Sequence, residues 1–475
     1  MKKINNFILF IFCFILIFTY SNLYSQNNSL TLAQALKSAI ANNELINASA
    51  KTKLFHEYEV KSAKGNHYPN IFLDASANKI NDDIVLSLND ARSAVIGASA
   101  ASLKASGASD AVVAAFKQQL EKNIPDFDMK FQDDIFYKFS AGFTWPLYTG
   151  GKISANSKVK QTELAIAQAE YEKTLNSTIT SVIESYFRAK LAQEAKDIRK
   201  EYLENIKRHS SNAQKLFEIG MISKTNKLRA DVALAQATRE YQKSERDFQL
   251  TLVVLSNLTG TNTENADLVT DFKKIENLNV VDYYSQTAFS NNITLKNIQQ
   301  KKNMINQKTK AIRSDFLPTI AAFGKYEIYK DNLTPFDPEW IAGINARINI
   351  FNGGSDYNEY KAYSTQLEII DLYIENLNKN IDTAVKKFHH QAETALEQYE
   401  SLQSSLQLTE ENLKLYRQSF KEGLTTSIEV IDAELALEKV KLEQSQALFD
   451  YNVAYAKLID ICGKSQILMN NITGD

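Results

Sequence analysis

The chain contains itself twice, and this constrains its fold more than any other feature. From Thr149-Gly150-Gly151 onward the first half overlays the second from Asn352-Gly353-Gly354 at a constant shift of 203 positions, without a gap. Tyr148 falls on Phe351, Phe217 on Phe420, Gly220 on Gly423, Ala230 on Ala433, Leu255 on Leu458 and Gly260 on Gly463. A gapless match over roughly 110 residues means two copies of one rigid unit, far longer than a solenoid repeat. Upstream, Asn42-Asn43 and Pro69 match Asn291-Asn292 and Pro318 at a shift of 249. The difference, 249 − 203 = 46, is an insertion in the first copy.

Met1-Lys2-Lys3, an apolar run from Phe7 to Phe18, and then Ser21, Ser25 and Gln26 read as a secretory signal over 1–25. The run is shorter than the ~20 residues a spanning helix needs. Cys13 sits inside the run, which argues against a lipid-anchored N-terminal cysteine. Without the signal only Cys462 remains, so an exported chain of this kind is expected to rely on packing or oligomerisation rather than disulfides. With 54 basic and 56 acidic residues the net charge is near zero, which argues against nucleic acid as a partner.

Only six prolines and 15 glycines interrupt 475 residues, so long elements are expected. From Leu367 apolar or small residues recur every seven positions through Ile374, Ile381, Phe388, Ala395, Leu402, Thr409 and Tyr416. Heptads sustained this far predict a long supercoiled helix. After Gly423 a second helix carries two apolar lines, one through Ile428, Ile431, Leu435 and Leu442 and one through Leu437, Val440, Ala447 and Tyr451, which implies neighbours on two sides, as in a wall. A helix over 152–215 would be about 95 Å long at 1.5 Å per residue. Two shorter helices, over 32–64 and 223–258, add up to a similar length if stacked end to end beside it.

Between short and long helices the period changes to two. Ile135, Tyr137, Phe139, Ala141, Phe143, Trp145 and Leu147 alternate with positions that include Lys138, Ser140 and Thr144. In the second copy Trp340, Ala342, Ile344, Ala346, Ile348 and Ile350 alternate with Asn345, Arg347 and Asn349. Earlier strands are expected over 71–77 and 320–329. Strands with one apolar and one polar face suit a transmembrane barrel, with Tyr137, Phe139, Phe143, Trp145, Trp340, Ile344 and Ile348 toward lipid. Four strands cannot close, because open edges are not tolerated in lipid, so the chain is expected to pool strands with other copies. Three protomers would supply twelve. The competing reading is a half-buried hairpin in a soluble helical bundle.

Leu30-Thr31-Leu32-Ala33-Gln34-Ala35, Trp145-Pro146-Leu147-Tyr148-Thr149-Gly150-Gly151, Phe351-Asn352-Gly353-Gly354, and Gly423 with Val430-Ile431-Asp432-Ala433-Glu434 together resemble the TolC family of outer-membrane efflux factors. The resemblance implies a mainly α protein with a membrane β-barrel portion: long antiparallel coiled-coil helices in two tandem repeats, four strands per protomer, and a homotrimer with a twelve-stranded barrel and an α-helical periplasmic tunnel. It divides the chain into a signal (1–25), repeat 1 (26–260), a linker or equatorial segment (261–281), repeat 2 (282–463) and a tail (464–475). It places the barrel in outer-membrane lipid of a Gram-negative-type cell and implies a periplasmic adaptor and an inner-membrane pump of RND, ABC or MFS class. Drug efflux is the leading expectation and type I protein secretion the alternative. A non-conducting coiled-coil surface stalk is the reading of another class, disfavoured because a stalk has no use for four aromatic-faced strands.

The same resemblance makes the turns Ile219-Gly220-Met221 and Glu422-Gly423-Leu424 docking grooves for the adaptor, although a glycine that ends a helix explains them structurally. It makes Glu429 and Asp432, three apart on one helix face, an acidic constriction that selects cations, where solvated acids near a helix N-terminus are the plainer reading. Asn226 and Arg229 occupy the matching positions of the first copy, so Arg229 is a candidate gate partner for Asp432 or Glu429. Thr425 stands where some members have a gating Arg. The 80–126 insertion, Ala/Ser-rich from Ala94 to Ala115, would lie outside the cell as a lid, a recognition element or a tolerated loop. Catalytic constellations are absent. His389-His390 and Glu393 lie in the middle of the long helix, where a His-Glu pair can bind metal, but no third ligand is evident, so surface or wall packing is the preferred reading and neither cofactor nor metal is expected.

Overall fold

The computed structural model describes residues 29–274, 278–331 and 337–466; the signal at 1–25 lies outside the described residues. The chain divides into two compact units, and each draws on both halves of the sequence: Met1–Glu57, Gln161–Asn303 and Leu367–Asp475 form one, Tyr58–Lys160 and Met304–Gln366 the other.

Helices α1 (Leu32–Asn42) and α2 (Glu44–Gly65) recur as α7 (Val281–Asn291) and α8 (Ile293–Arg313) at a shift of 249 for the starts, and α5 (Lys152–Glu218) and α6 (Lys224–Thr259) recur as α9 (Ser355–Lys421) and α10 (Ser427–Ile461) at 203. Both long helices have 67 residues, so the duplication in the sequence is a duplication of elements.

The single helix expected over 32–64 is two, broken at Asn43. Its backbone leaves the helical region at ψ 120°, while its Oδ1 accepts from the N–H groups of Leu45 and Ile46, so one side chain ends α1 and caps α2. Asn292 does the same in the second copy through Leu295.

Within the helical unit α1 packs on α5 and α6, burying Leu32, Leu36, Val182, Tyr186, Leu252 and Leu255. The adjoining helix ends are tied by Asn42, whose amide donates to the Thr259 carbonyl, and by Asn292, which donates to Ile461. A parallel bridge joins β1 (Ser29–Leu30) to β6 (Asp267–Leu268). The hydroxyl of Tyr186 donates to the Leu30 carbonyl at 2.7 Å and accepts from the Thr270 N–H, pinning this segment to α5.

The other unit holds an antiparallel sheet of four strands, β2 (Asn70–Lys79), β5 (Ile135–Tyr148), β7 (Thr319–Asp331) and β8 (Trp340–Arg347), in the order β2-β5-β7-β8. The expected strand over 340–350 stops at Arg347, because its partner Thr319 is the first residue of β7, just after Pro318, and the ladder runs out. Ile348 therefore lies beyond the strand, although it is exposed. Register is locked by aromatic rings seated on glycines of the facing strand. A Cβ on Gly142 would meet the Phe72 ring at 2.6 Å, one on Gly343 the Phe323 ring at 3.1 Å, and one on Gly324 the Phe143 ring. All three are cross-strand partners.

The insertion has a structure of its own. Strands β3 (Ile84–Ser87) and β4 (Asp128–Gln132) form a ribbon that carries helices α3 (Asn89–Ala105) and α4 (Asp110–Asn123). Arg92 holds the end of this hairpin, donating to the carbonyls of Ile124 and Glu121 and pairing with Asp126 at 2.8 Å.

Candidate functional site

The turns between α5 and α6 and between α9 and α10 have one geometry. Gly220 and Gly423 adopt φ of 77° and 72°, a conformation that favours residues without a Cβ. The Met221 N–H donates to the Leu216 carbonyl and Gly220 to Phe217; Leu424 donates to Ser419 and Gly423 to Phe420. This paired bonding closes each helix by the Schellman arrangement. Beneath the turns, Ala213, Ala230, Phe420 and Val430 form one buried cluster, while Ile219, Met221 and Leu424 remain exposed at the tips.

Glu429 is committed locally. Its carboxylate accepts from the Thr426 N–H at 2.7 Å, from the Thr426 hydroxyl at 2.9 Å, and from the Thr425 hydroxyl. It thus closes the capping box at the start of α10, and the Thr425 hydroxyl, followed by the Thr426 N–H, stabilises the ionised form and holds the Glu429 carboxyl below the usual carboxylate range. Thr425 does not reach across to another helix through that bond. Asp432 and Arg229 are exposed, and among the described residues neither enters an ion pair within one protomer. Asn226 contributes its N–H to the Ser223 cap of α6.

A buried polar cluster escaped the sequence reading. Glu434 is 2% exposed; Arg417 of α9 donates to it through Nε at 2.8 Å, and Asn205 of α5 donates to its other oxygen at 3.1 Å. Burial pushes the Glu434 carboxyl up despite these partners. One turn from Asn205, His209 is hydrogen-bonded to Ser427 at 2.7 Å and stacks 4.7 Å from the Phe420 ring. Its burial, with the Arg417 charge nearby, pulls the imidazole down to about 4. Three helices are thus cross-linked just behind the tips. No sequence signal set Glu434 apart, because Glu429, Asp432 and Glu438 are acidic neighbours on the same helix.

In the sheet, one face is free of charge along Ile71–Ala77, Tyr137–Trp145, Ile320–Tyr326 and Trp340–Ala346, counting the residues that point to that side in the register. Tyr137, Phe139, Phe143 and Trp145 are exposed there, as are Trp340 at 67% and Ile344 at 70%. The opposite face carries Asp74, Lys138, Lys325, Glu327, Asn345 and Arg347, with Lys325 and Glu327 paired at 2.7 Å. No helix among the described residues is long and apolar enough to cross a membrane.

The model of the outer membrane efflux protein family matches residues 35–261 and 284–464. The chain belongs to this family. Membership of this family puts it at the outer membrane as an efflux protein. The alkaline protease secretion protein AprF of Pseudomonas aeruginosa is 21% identical over 304 residues, 62% of this chain; the match spans 63% of AprF's own length. CusC, whose structures describe folding and transmembrane channel formation, superposes with a TM-score of 0.72 at 14% identity, covering 93% of this chain and 95% of CusC. The CmeC outer membrane channel of Campylobacter jejuni gives 0.70 at 15% identity over 91% of this chain and 86% of its own. This efflux-family chain therefore shares their fold, long helices with a membrane strand portion.

Proposed function

We propose that three copies of this chain form a passive exit channel in the outer membrane, fed by a periplasmic adaptor and an inner-membrane pump. The observation that carries this reading is the sheet, with a charge-free aromatic face, a charged opposite face, and two open edges at β2 and β8. Unpaired backbone groups at those edges cannot face hydrocarbon, so the strands need partners, and three protomers of four strands give a twelve-stranded barrel within the range of outer-membrane barrels. The charged face then lines a wet lumen. The turns at Ile219, Gly220, Met221 and at Glu422, Gly423, Leu424 offer the adaptor two similar docking grooves, and Glu429 and Asp432 ring the entrance, with Arg229, Asn226 and Thr425 as the gate residues. Repeats over 26–260 and 282–463, joined at 261–281, supply the two helix pairs of each protomer, and the 80–126 insertion caps the outer side.

Small toxic molecules are the leading cargo, in keeping with the family's efflux description; the printed role of AprF, secretion of a protease, favours type I secretion as the second reading. Cysteine pairs, one on β2 and one on β8 of the same chain, test closure. Oxidation of the right pair yields a covalent trimer on a denaturing gel, whereas monomers and dimers across every pair would refute the barrel. Deletion of the gene then separates the cargoes: sensitivity to small toxic compounds marks efflux, and loss of an exported protein marks secretion.

A further inference from the structure

We propose that His389, His390 and Glu393 on α9 bind one divalent transition-metal ion per protomer, of the zinc, nickel or copper class. The Nδ1 atoms of His389 and His390 each lie 3.2 Å from the same Glu393 oxygen, and all three donor atoms lie within 4.8 Å of one another. Donors held about 2.0–2.2 Å from a tetrahedral zinc ion are separated by roughly 3.4 Å, close to the two imidazole–carboxylate spacings of 3.2 Å.

The tautomer of His389 supplies the second, independent observation. Its Nε2 lies 2.9 Å from the carbonyl of Asn279, a group that can only accept, so Nε2 bears the hydrogen. In the neutral ring Nδ1 is then a bare lone pair. His389 is 5% exposed, and its Nδ1 is buried without a hydrogen-bond partner among the described residues. A lone pair facing a carboxylate oxygen at 3.2 Å is repulsive until a cation stands between them. A histidine that donates its far nitrogen to a backbone carbonyl while presenting the near one is also the usual outer-shell arrangement of a metal ligand.

Two imidazoles and one carboxylate favour zinc, nickel or copper over magnesium or calcium, which prefer all-oxygen sites. The side chains of His390 and Glu393 are 77% and 45% exposed, so the ion can enter from solvent and keep a water as its fourth ligand. Once bound, it would polarise the His389 ring and strengthen the bond to Asn279, fastening α9 to the segment that leads into α7.

The test uses tag-free, chelator-stripped full-length protein titrated with Zn²⁺ against a fluorescent zinc indicator, and with Co²⁺ followed by visible absorption. The expected result is one ion per protomer, with affinity reduced at least about tenfold in His390→Ala and in Glu393→Gln. Both side chains are substantially exposed, so thermal melting and oligomer mass should be unchanged in the metal-free state; His67→Ala, a histidine elsewhere on the surface, should bind as the wild type does. Absence of a saturable site, or a site indifferent to both variants, would overturn the proposal and leave a proton, rather than a metal, between His389 and Glu393.

Discussion

Arg417 is the charged partner of a carboxylate that has almost no contact with water, so its removal is felt through Glu434. With the side chain of Arg417 41% exposed and that of Glu434 only 2%, Arg417→Ala strands the buried acid and is expected to cost about 1–3 kcal/mol, read as a lower melting temperature. Glu434→Gln, which keeps hydrogen bonds without the charge, should cost less. His209 makes a separate prediction with a defined sign. Its imidazole is pulled from 6.5 to about 4, so between those values the unfolded chain takes up a proton that the folded chain refuses. Stability should fall as pH drops through this window, by on the order of 3 kcal/mol per protomer. Glu434, with its carboxyl pushed up, works in the opposite direction, so the comparison that isolates the histidine is His209→Gln against wild type: the variant should lose much of the acid sensitivity between pH 6.5 and 4. A melting curve with the same pH slope in both would refute this. The acids at 429 and 432 were legible in the sequence, and the capping box Thr426-x-x-Glu429 was there to be read as well. The Arg417–Glu434–Asn205 link was not, because Asn205 and Glu434 lie more than 200 positions apart and no local pattern announces their meeting.

Helices and strands were the most readable level. Heptads and period-two alternation located every long helix and all four strands of the main sheet, because each pattern repeats many times and one misread residue changes little. Ends were harder. The break at Asn43 depends on one side chain serving two helices, and the early stop of β8 depends on where a strand 20 residues upstream begins. The ring-on-glycine pairs are a sheet-level device with a sharp consequence. Gly324→Val drives a branched side chain into the Phe143 ring, with an overpacking cost of about 1–3 kcal/mol, and should reduce heat-resistant oligomer on a gel. Phe143→Ala in the same chain should restore it; failure of rescue would argue against the register. At the tips, Gly423→Ala forces a Cβ into the left-handed region at about 1–2 kcal/mol. A Cβ at Gly423 would meet only the end of the Met221 side chain at 3.8 Å, and one at Gly220 would meet open space, so the effect should be on tip shape and adaptor capture, with little change in melting of the long helices.

For the whole molecule, the duplication means that each copy supplies one helix pair and one strand pair, so in the proposed trimer a single chain would contribute one third of the ring. The proposed barrel closure rests on the strand count, since among the described residues β2 and β8 do not pair with each other. The insertion was legible as extra length, but its β3-α3-α4-β4 fold was not, because an Ala/Ser-rich stretch has weak periodicity. Charge at the entrance gives the channel its expected selectivity, and Glu429→Gln with Asp432→Asn, which spares the geometry of the helix cap, should lower cation preference and divalent block without altering trimer mass. The measurement that bears most directly on the exit channel is single-channel conductance of the purified protein in a planar bilayer, with its mass determined on the same preparation. A trimer giving small, cation-selective steps is the predicted result. A monomer or dimer that never conducts would contradict the barrel and leave the helices as a stalk.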